Sequence, residues 1–370
     1  MVSELIKETE LRDNNEVYKK LCGIVAKQFL SGNGVNGNIR FGELEINNFS
    51  ICFGAGVNGE SGSKGVYVKI PKADLFLKEH RTILPLTDAD RKFGEAEYNS
   101  LVHISKYWQS DDLSISFVQP IGFLKDYNAI VTRRIFAGDI FKVFRKYDLL
   151  RKLHINGRNN LMHDSLFRIG KALARFHNTT LTERIFTTGK TQKKIELYCS
   201  QLRSRGINGN FLDNIITGIR RLKDYRFNAR ITTTLKGLDV RNILIDHSGH
   251  VFMLDPGKLK EDYREMDLAR FIVTCRILYW GGLFFFLRLC PDYSYEDSFL
   301  KGYHGSNEKV SKILVVLIIK ELLKHWCMAC KVLYLKPWPK IVKVFLRYTY
   351  IDPFYKRQIQ SELATLDRCR

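Results

Sequence analysis

Asn242 and Asp255 are the two side chains of this 370-residue chain whose type and spacing most directly suggest chemistry. Residues 243–245 form an apolar β-rich run, 246–249 are turn-forming, and 251–254 are a second apolar run, which together predict a short hairpin. Asn242 then stands at the mouth of the first strand and Asp255 at the end of the second, so folding brings two oxygen-bearing side chains to one edge. Hard cations such as Mg2+ take oxygen ligands, commonly one or two carboxylates with substrate phosphates and water completing the octahedron. Such a pair suits phosphoryl transfer. Taken alone, the hairpin fits equally well with two polar residues that simply close two strands.

Composition narrows the class. A hydrophobic content of 45% with 12% aromatic residues indicates a globular core rather than disorder. Residues 1–15 are polar and charged, so no secretory signal is expected. The longest apolar runs, 277–289 and 313–319, fall short of the roughly 20 apolar residues that a bilayer span needs, and they read as buried helices. The eight cysteines (Cys22, Cys52, Cys199, Cys275, Cys290, Cys327, Cys330 and Cys369) show no paired framework. Cys327 and Cys330 share one helix face with no second pair to complete a zinc site, which suits a thiol-reduced cytosolic protein. The formal charge of +20 calls for an anionic partner: nucleotide, nucleic acid, acidic glycolipid or membrane surface. Signatures of nucleic-acid modules are not apparent, so no nucleic acid is expected.

The elements that must position Asn242 and Asp255 follow from periodicity. Residues 4–30 have helical spacing. Residues 39–70 alternate and are rich in Gly, Asn and β-formers, reading as two or three strands that end in Val66-Tyr67-Val68-Lys69-Ile70. Helical period returns over 93–108, and 117–131 is strand-like, broken at Gly122 and at 126–128. From Asp139 onward helices dominate, apart from the hairpin. The chain therefore reads as α+β, with a mostly β first third.

This order of segments resembles the protein-kinase-like superfamily, in its aminoglycoside-phosphotransferase branch, which includes sugar and lipopolysaccharide-core kinases. The likeness runs from about residue 38 to 305. Val66-Tyr67-Val68-Lys69 looks like the strand whose lysine reaches the α/β-phosphates, and Glu97 looks like its helix partner, with Glu95 as a substitute. The stretches 118–122 and 130–138, with Arg133 and Ile135, are similar to the strand and hinge that contact adenine. Residues 169–177 look like the helix before the catalytic loop, and His177 reads as a buried hydrogen-bonding residue. Asp267-Leu268-Ala269-Arg270 is similar to the motif whose Asp braces that loop, and 298–303 resembles a further helix. The resemblance implies a two-lobed fold. A small β-rich N-lobe over 1–134 would hold an N-terminal helix and the nucleotide-binding sheet. A larger, mainly helical C-lobe over 135–370 would hold the catalytic loop, the metal motif and basic C-terminal helices. It also implies ATP and Mg2+, with Asn242 and Asp255 as metal ligands. The glycine-rich stretch 53–65 could fold over phosphates or form a plain hairpin loop.

One position departs from the family pattern. Five residues before Asn242 the family carries a catalytic Asp, and here the triplet is Leu235-Lys236-Gly237. Two accounts remain. Asp239, in the same loop, replaces the missing base, or the chain is a pseudokinase that binds nucleotide or serves as a scaffold. The metal motif reads Asp255-Pro256-Gly257-Lys258, and its proline removes a backbone donor and fixes φ. That implies a site without the mobile Phe of regulated kinases, with Lys258 as an added cation near the phosphates. A protein kinase is the third reading, since no long activation segment is evident.

Lys236, Arg241 and Lys258 make the expected acceptor side positive, which disfavours polycationic antibiotics and suits an anionic sugar or glycolipid acceptor. Residues 331–347 hold five basic and no acidic residues, interleaved with Tyr334, Trp338 and Phe345. Such a segment is a candidate for peripheral contact with an anionic membrane, the alternative being a basic helix with a solvated outer face. The combined expectation is a cytoplasmic kinase, with contact at the inner face of the membrane, that phosphorylates a sugar hydroxyl of lipopolysaccharide or another glycolipid.

Overall fold

The computed structural model describes residues 15–30, 39–47, 49–57, 64–73, 82–108, 114–140, 143, 160–186, 189–222, 227–280, 294–305 and 311–368. The chain divides into two compact units, residues 1–138 with 244–258, and residues 139–243 with 259–370.

The first unit begins with a helix over residues 15–25 (α1) that runs into a π turn, Ala26–Leu30. Strands β1 (Ile39–Phe41), β2 (Glu45–Ile46), β3 (Ser50–Val57) and β4 (Lys64–Pro71) follow, then α2 (Asp88–Tyr107). Strands β5 (Ile115–Phe117), β6 (Pro120–Leu124), β7 (Ala129–Arg133) and the two-residue β8 (Gly138–Asp139) complete this stretch. The main sheet is antiparallel in the order β1-β3-β4-β7-β6, with β2 added on β3. Period-two alternation sorts the faces of β4. Val66, Val68 and Ile70 are buried in one core with Leu21, Val25 and Leu30, so Tyr67 and Lys69 project to the other face.

Helix α2 is tied to the sheet at its start. Thr87 and Asp90 form a reciprocal capping box, the Asp90 N–H donating to the Thr87 hydroxyl at 3.1 Å and the Thr87 N–H to the Asp90 carboxylate at 3.0 Å. The same carboxylate accepts from the Ala73 N–H at 2.7 Å, just beyond β4. Asn128, in the left-handed region at φ 53°, donates its amide to the carbonyls of Pro71 (2.9 Å) and Asp90 (2.8 Å). A Cβ at Gly94 would lie 2.0 Å from Asn128 Oδ1, so only glycine admits this approach. These contacts set the height of α2 against β4.

The second unit contains α3 (Asn160–Asn178), β9 (Thr182–Phe186), α4 (Gly189–Arg203), α5 (Gly209–Arg220) and β10 (Phe227–Leu235). The hairpin strands β11 (Ile243–Ile245) and β12 (Val251–Met253), which fall in the first unit from Leu244 on, precede β13 (Leu259–Tyr263) and α6 (Glu265–Trp280) of the second. Helices α7 (Ser294–His304), α8 (Lys312–Leu335), α9 (Lys340–Leu346, continued by a π turn Arg347–Ile351) and α10 (Asp352–Arg368) end the chain. Residues 313–323 of α8 are buried on every side, as the apolar run 313–319 implied. Helices α3 and α7 cross closely at Gly170 and Gly302, where added methyl groups would meet backbone at 2.1 and 2.0 Å. Arg276, on α6, forks to Glu296 of α7 (2.8 Å) and Glu362 of α10 (2.6 Å) and joins three helices.

Two features differ from the sequence reading. Strands β9, β10 and β13 form an antiparallel sheet in a region expected to be helical, with Ile231 opposite Thr182 and Tyr263. The edge strands Thr182–Phe186 and Leu259–Tyr263 are largely charged or exposed, so their sequences carry little apolar alternation. The second concerns the boundary. Strand β12 pairs in parallel with β5, Val251 opposite Ile115 and Met253 opposite Phe117, and the Val118 N–H donates to the Met253 carbonyl at 2.9 Å. This pairing joins 244–258 to the first unit, whereas the sequence reading placed the metal motif within 135–370. Residues 1–14, the tip 58–63 of the glycine-rich stretch and 281–289 of the longer apolar run lie outside the described residues. Among the described residues no helix is long and apolar enough to cross a membrane.

Two substitutions test the attachment of α2. Gly94→Ala is expected to cost about 1–3 kcal/mol by overpacking, read by urea denaturation. Burial pushes the Asp90 carboxyl up, but the N–H groups of Ala73 and Thr87, the Thr87 hydroxyl and Lys72 outweigh it and hold it below its ordinary value. A depressed folded value adds stability above the unfolded pKa of about 4 and loses it as pH falls further. The stability gap between wild type and Asp90→Asn should therefore be full at neutral pH and shrink in acid.

Candidate functional site

Lys69, Glu97 and Asp255, three residues of the first unit separated widely in sequence, meet through their charges. The Lys69 ammonium is 2.5 Å from Glu97 Oε1 and 2.6 Å from Asp255 Oδ2. Each comes from a different element. Strand alternation turns Lys69 away from the α1 core, the stitched start of α2 aims Glu97 at it, and the β12–β5 pairing delivers Asp255. Glu95, the alternative partner, is exposed. Burial opposes the charge on Lys69, but the carboxylates of Asp255 and Glu97 hold it firmly protonated. Burial, then the neighbouring Asp255, push the Glu97 carboxyl up against the pull of Lys69. Two carboxylates share one ammonium, and the group carries surplus negative charge.

The turn after Asp255 is set by Gly257, at φ 61°, whose N–H donates to Asp255 Oδ1 at 2.7 Å. A side chain at 257 would strain this left-handed residue. One carboxylate oxygen thus holds the turn and the other faces Lys69.

In the second unit, the loop after β10 is held by a buried carboxylate. Asp267 is fully buried and accepts from the Leu235 N–H at 2.7 Å and from His177 Nε2 at 3.1 Å. Its other oxygen pairs with Arg270 at 3.0 Å, and Arg270 also donates to the Leu235 carbonyl. The peptides on both sides of Leu235 are therefore gripped. A carboxylate only accepts, so the Nε2–H of His177 donates to Asp267, and Nδ1 shares a hydrogen bond with the Tyr303 hydroxyl at 2.6 Å. Asp267 thus holds the backbone at the end of β10, and His177 is a buried hydrogen-bonding residue.

Asp239 caps the 3-10 turn Val240–Asn242, accepting from the Arg241 N–H at 2.9 Å. Its carboxylate also forks onto the Arg241 guanidinium through Nε (2.9 Å) and Nη2. Burial would raise its pKa, but the bonds and charge of Arg241 outweigh burial and hold it below the carboxylate range. Asp239 is therefore ionised and engaged rather than poised as a free base. Asn242 donates its amide to the Gly237 carbonyl at 3.0 Å, which turns the amide oxygen away from that bond.

The remaining expected residues are scattered more loosely. Arg133 is exposed and its N–H donates to the Gln119 carbonyl at 3.0 Å, Ile135 is half-buried after β7, and Lys258 is exposed. Arg134, which sequence reasoning did not single out, lies over the glycine strands: its guanidinium is 3.0 Å from where a Cβ of Gly54 would be, and its side chain is within 3.2 Å of one at Gly65.

No known protein-family profile matches this chain, and no curated protein does. Solved structures do match it. A choline kinase from Cryptosporidium parvum Iowa II superposes with a TM-score of 0.54 at 11% identity, over 95% of this chain and 96% of that one. The choline kinase LicA from Streptococcus pneumoniae gives 0.52 at 14%, over 95% and 99%. A spectinomycin phosphotransferase, solved with ADP and spectinomycin, gives 0.50 at 13%, over 94% and 98%. The chain has the α+β protein-kinase-like fold, with antiparallel sheet in its N-terminal part and helices dominating its C-terminal part.

The brace is testable without substrate. Asp267→Ala strands the buried Leu235 N–H and the Arg270 charge, and should cost about 3–5 kcal/mol in chemical denaturation.

Proposed function

We propose that this chain is an ATP- and Mg2+-dependent phosphotransferase acting on a sugar hydroxyl, carried by a lipopolysaccharide or another glycolipid. The observation that supports this best is the Lys69 ammonium held at 2.5 and 2.6 Å between Glu97 and Asp255. In this reading Lys69 binds the α/β-phosphates and Glu97 orients it. Arg133 and Ile135 lie along the adenine, and Lys258 supplies a further cation. ATP as donor places the protein in the cytoplasm.

Asp255 and Asn242 are the proposed Mg2+ donors. Asp255, in the first unit, offers hard carboxylate oxygens, and the carboxylates around Lys69 outnumber its single charge, which suits a divalent cation; Asn242, in the second unit, offers an amide oxygen, its nitrogen being spent on Gly237. A bound Mg2+ would neutralise charge on the transferring phosphates. Asp239 is the proposed residue that orients the acceptor hydroxyl, accepting its hydrogen bond as an ionised carboxylate shared with Arg241. Phosphoryl transfer depends chiefly on positioning and charge neutralisation, so a strong base is not required. The cations Lys236 and Arg241 in the same loop favour an acceptor that bears negative charge.

Gly237, where related kinases carry their catalytic Asp, favours a second reading: a nucleotide-binding pseudokinase or scaffold. ATP consumption by the purified protein, with and without a cell-envelope lipid extract, separates the two. An enzyme consumes ATP faster with extract, and a pseudokinase binds nucleotide without consuming it. Absence of Mg2+-dependent ATP binding in calorimetry would sink the enzyme and the nucleotide-binding pseudokinase alike.

Lys69→Ala should weaken ATP binding about tenfold or more, from the loss of a charged hydrogen bond, and Asp255→Ala should remove its Mg2+ dependence. Asn caps helices as well as Asp. Asp239→Asn therefore keeps the turn while removing the charge, and should lower turnover about 100-fold with unchanged ATP affinity. Wild-type turnover in that variant would leave Asp239 with a purely structural role.

A further inference from the structure

The segment from Tyr334 to Tyr348 is folded with its amphipathicity inverted. Arg347, its one buried cation, is pinned inward: Nε donates to Asp352 at 3.2 Å, Nη1 to the Tyr334 hydroxyl at 3.1 Å, and Nη2 to the Arg205 carbonyl. Asp352 is itself held by the Trp326 indole N–H at 2.8 Å, so the anchor reaches back into α8. With that cation turned in, the apolar residues face water. Ile341 is 78% exposed, Phe345 57% and Tyr348 60%, and their spacing of four and three residues places them on one stripe of α9 and its π continuation. Trp338, between Pro337 and Pro339, is 45% exposed just ahead of the stripe. Contiguous apolar surface of this kind on a soluble unit marks an interaction site.

We propose that this face docks on an anionic lipid bilayer. Charge selects the partner. Residues 331–347 hold five basic residues and no acidic one, Lys336 and Lys340 are exposed beside the stripe, and the whole chain carries +20. Two copies meeting through this face would bring like charges together, whereas an anionic leaflet neutralises them. An apolar stripe with an indole, rimmed by lysines, matches a helix lying at headgroup depth. The inference deepens the glycolipid acceptor of the reading above, which such a face would bring within reach. Its test needs no phosphoryl transfer, so failure of either leaves the other standing.

The experiment is co-sedimentation of the full chain with vesicles of phosphatidylcholine alone or mixed with phosphatidylglycerol. Binding to the mixed vesicles at low salt, weak binding to the neutral ones and release at high salt are expected. Ile341→Ser with Phe345→Ser should reduce partitioning at least about tenfold, as should Lys336→Glu with Lys340→Glu. All four side chains are exposed, so unchanged thermal melting is expected and confirms that the fold is kept. A blue shift of Trp338 fluorescence on mixed vesicles, absent in Trp338→Phe, would place this residue at the lipid. Equal recovery with neutral and mixed vesicles, or no binding, overturns the proposal. So does a concentration-dependent dimer in sedimentation equilibrium that Ile341→Ser with Phe345→Ser abolishes, which would assign the face to a second copy.

Discussion

One ammonium facing two carboxylates is the constraint on which the first unit depends. Lys69 cannot be removed from water cheaply unless its charge is matched, and Glu97 and Asp255 match it twice over. Burial first, and the neighbouring Asp255 charge second, push up the carboxyl of Glu97, the more buried of the two. An arrangement of this kind persists only if three separate backbones hold their side chains to within a few tenths of an ångström. Most of the packing described for the first unit serves that purpose.

Each backbone has its own means. Alternation along β4 is automatic once Val66, Val68 and Ile70 enter the α1 core. The seat of α2 is less automatic, resting on the Asn128 amide, the Thr87–Asp90 box and the absence of a side chain at Gly94. Asp255 arrives by a third route, the parallel pairing of β12 with β5, which recruits residues distant in sequence. Parallel neighbours need long connections, so this contact has no local sequence signature.

The second unit solves a different problem, holding an irregular loop at the end of β10. Asp267 and Arg270, one turn apart on α6, take the N–H and the carbonyl of a single residue, Leu235, and so hold the peptides on both sides of it. The cost of burying Asp267 is offset by the bonds it accepts from the Leu235 N–H, His177 and Arg270, and Tyr303 extends the network through His177. Further along the loop, Asp239 and Arg241 neutralise each other across the 3-10 turn. That local pairing is why a carboxylate that looks available in sequence is already engaged. At the far end of the unit the same logic appears in reverse, with Arg347 drawn inward and apolar side chains left outside.

What could be read from the chain alone was whatever depends on near neighbours. The strand carrying Lys69, the helix carrying Glu97 and the Asn242 hairpin follow from periods of two and 3.6 and from turn residues, whereas a bracing role for Asp267 comes only from the family resemblance. The β9–β10–β13 sheet escaped because its outer strands are polar and lack alternation, although the β-branched run Ile231–Thr234 in β10 hinted at it. Partner choice lay beyond the sequence. Whether Glu97 or Glu95 meets Lys69, whether Arg133 or Arg134 covers the glycine strands, and whether Asp239 is free or forked to Arg241 depend on distances between residues that no local pattern encodes. Those distances are decided by tertiary packing, because a side chain pairs with whatever the fold brings within about 3 Å of it.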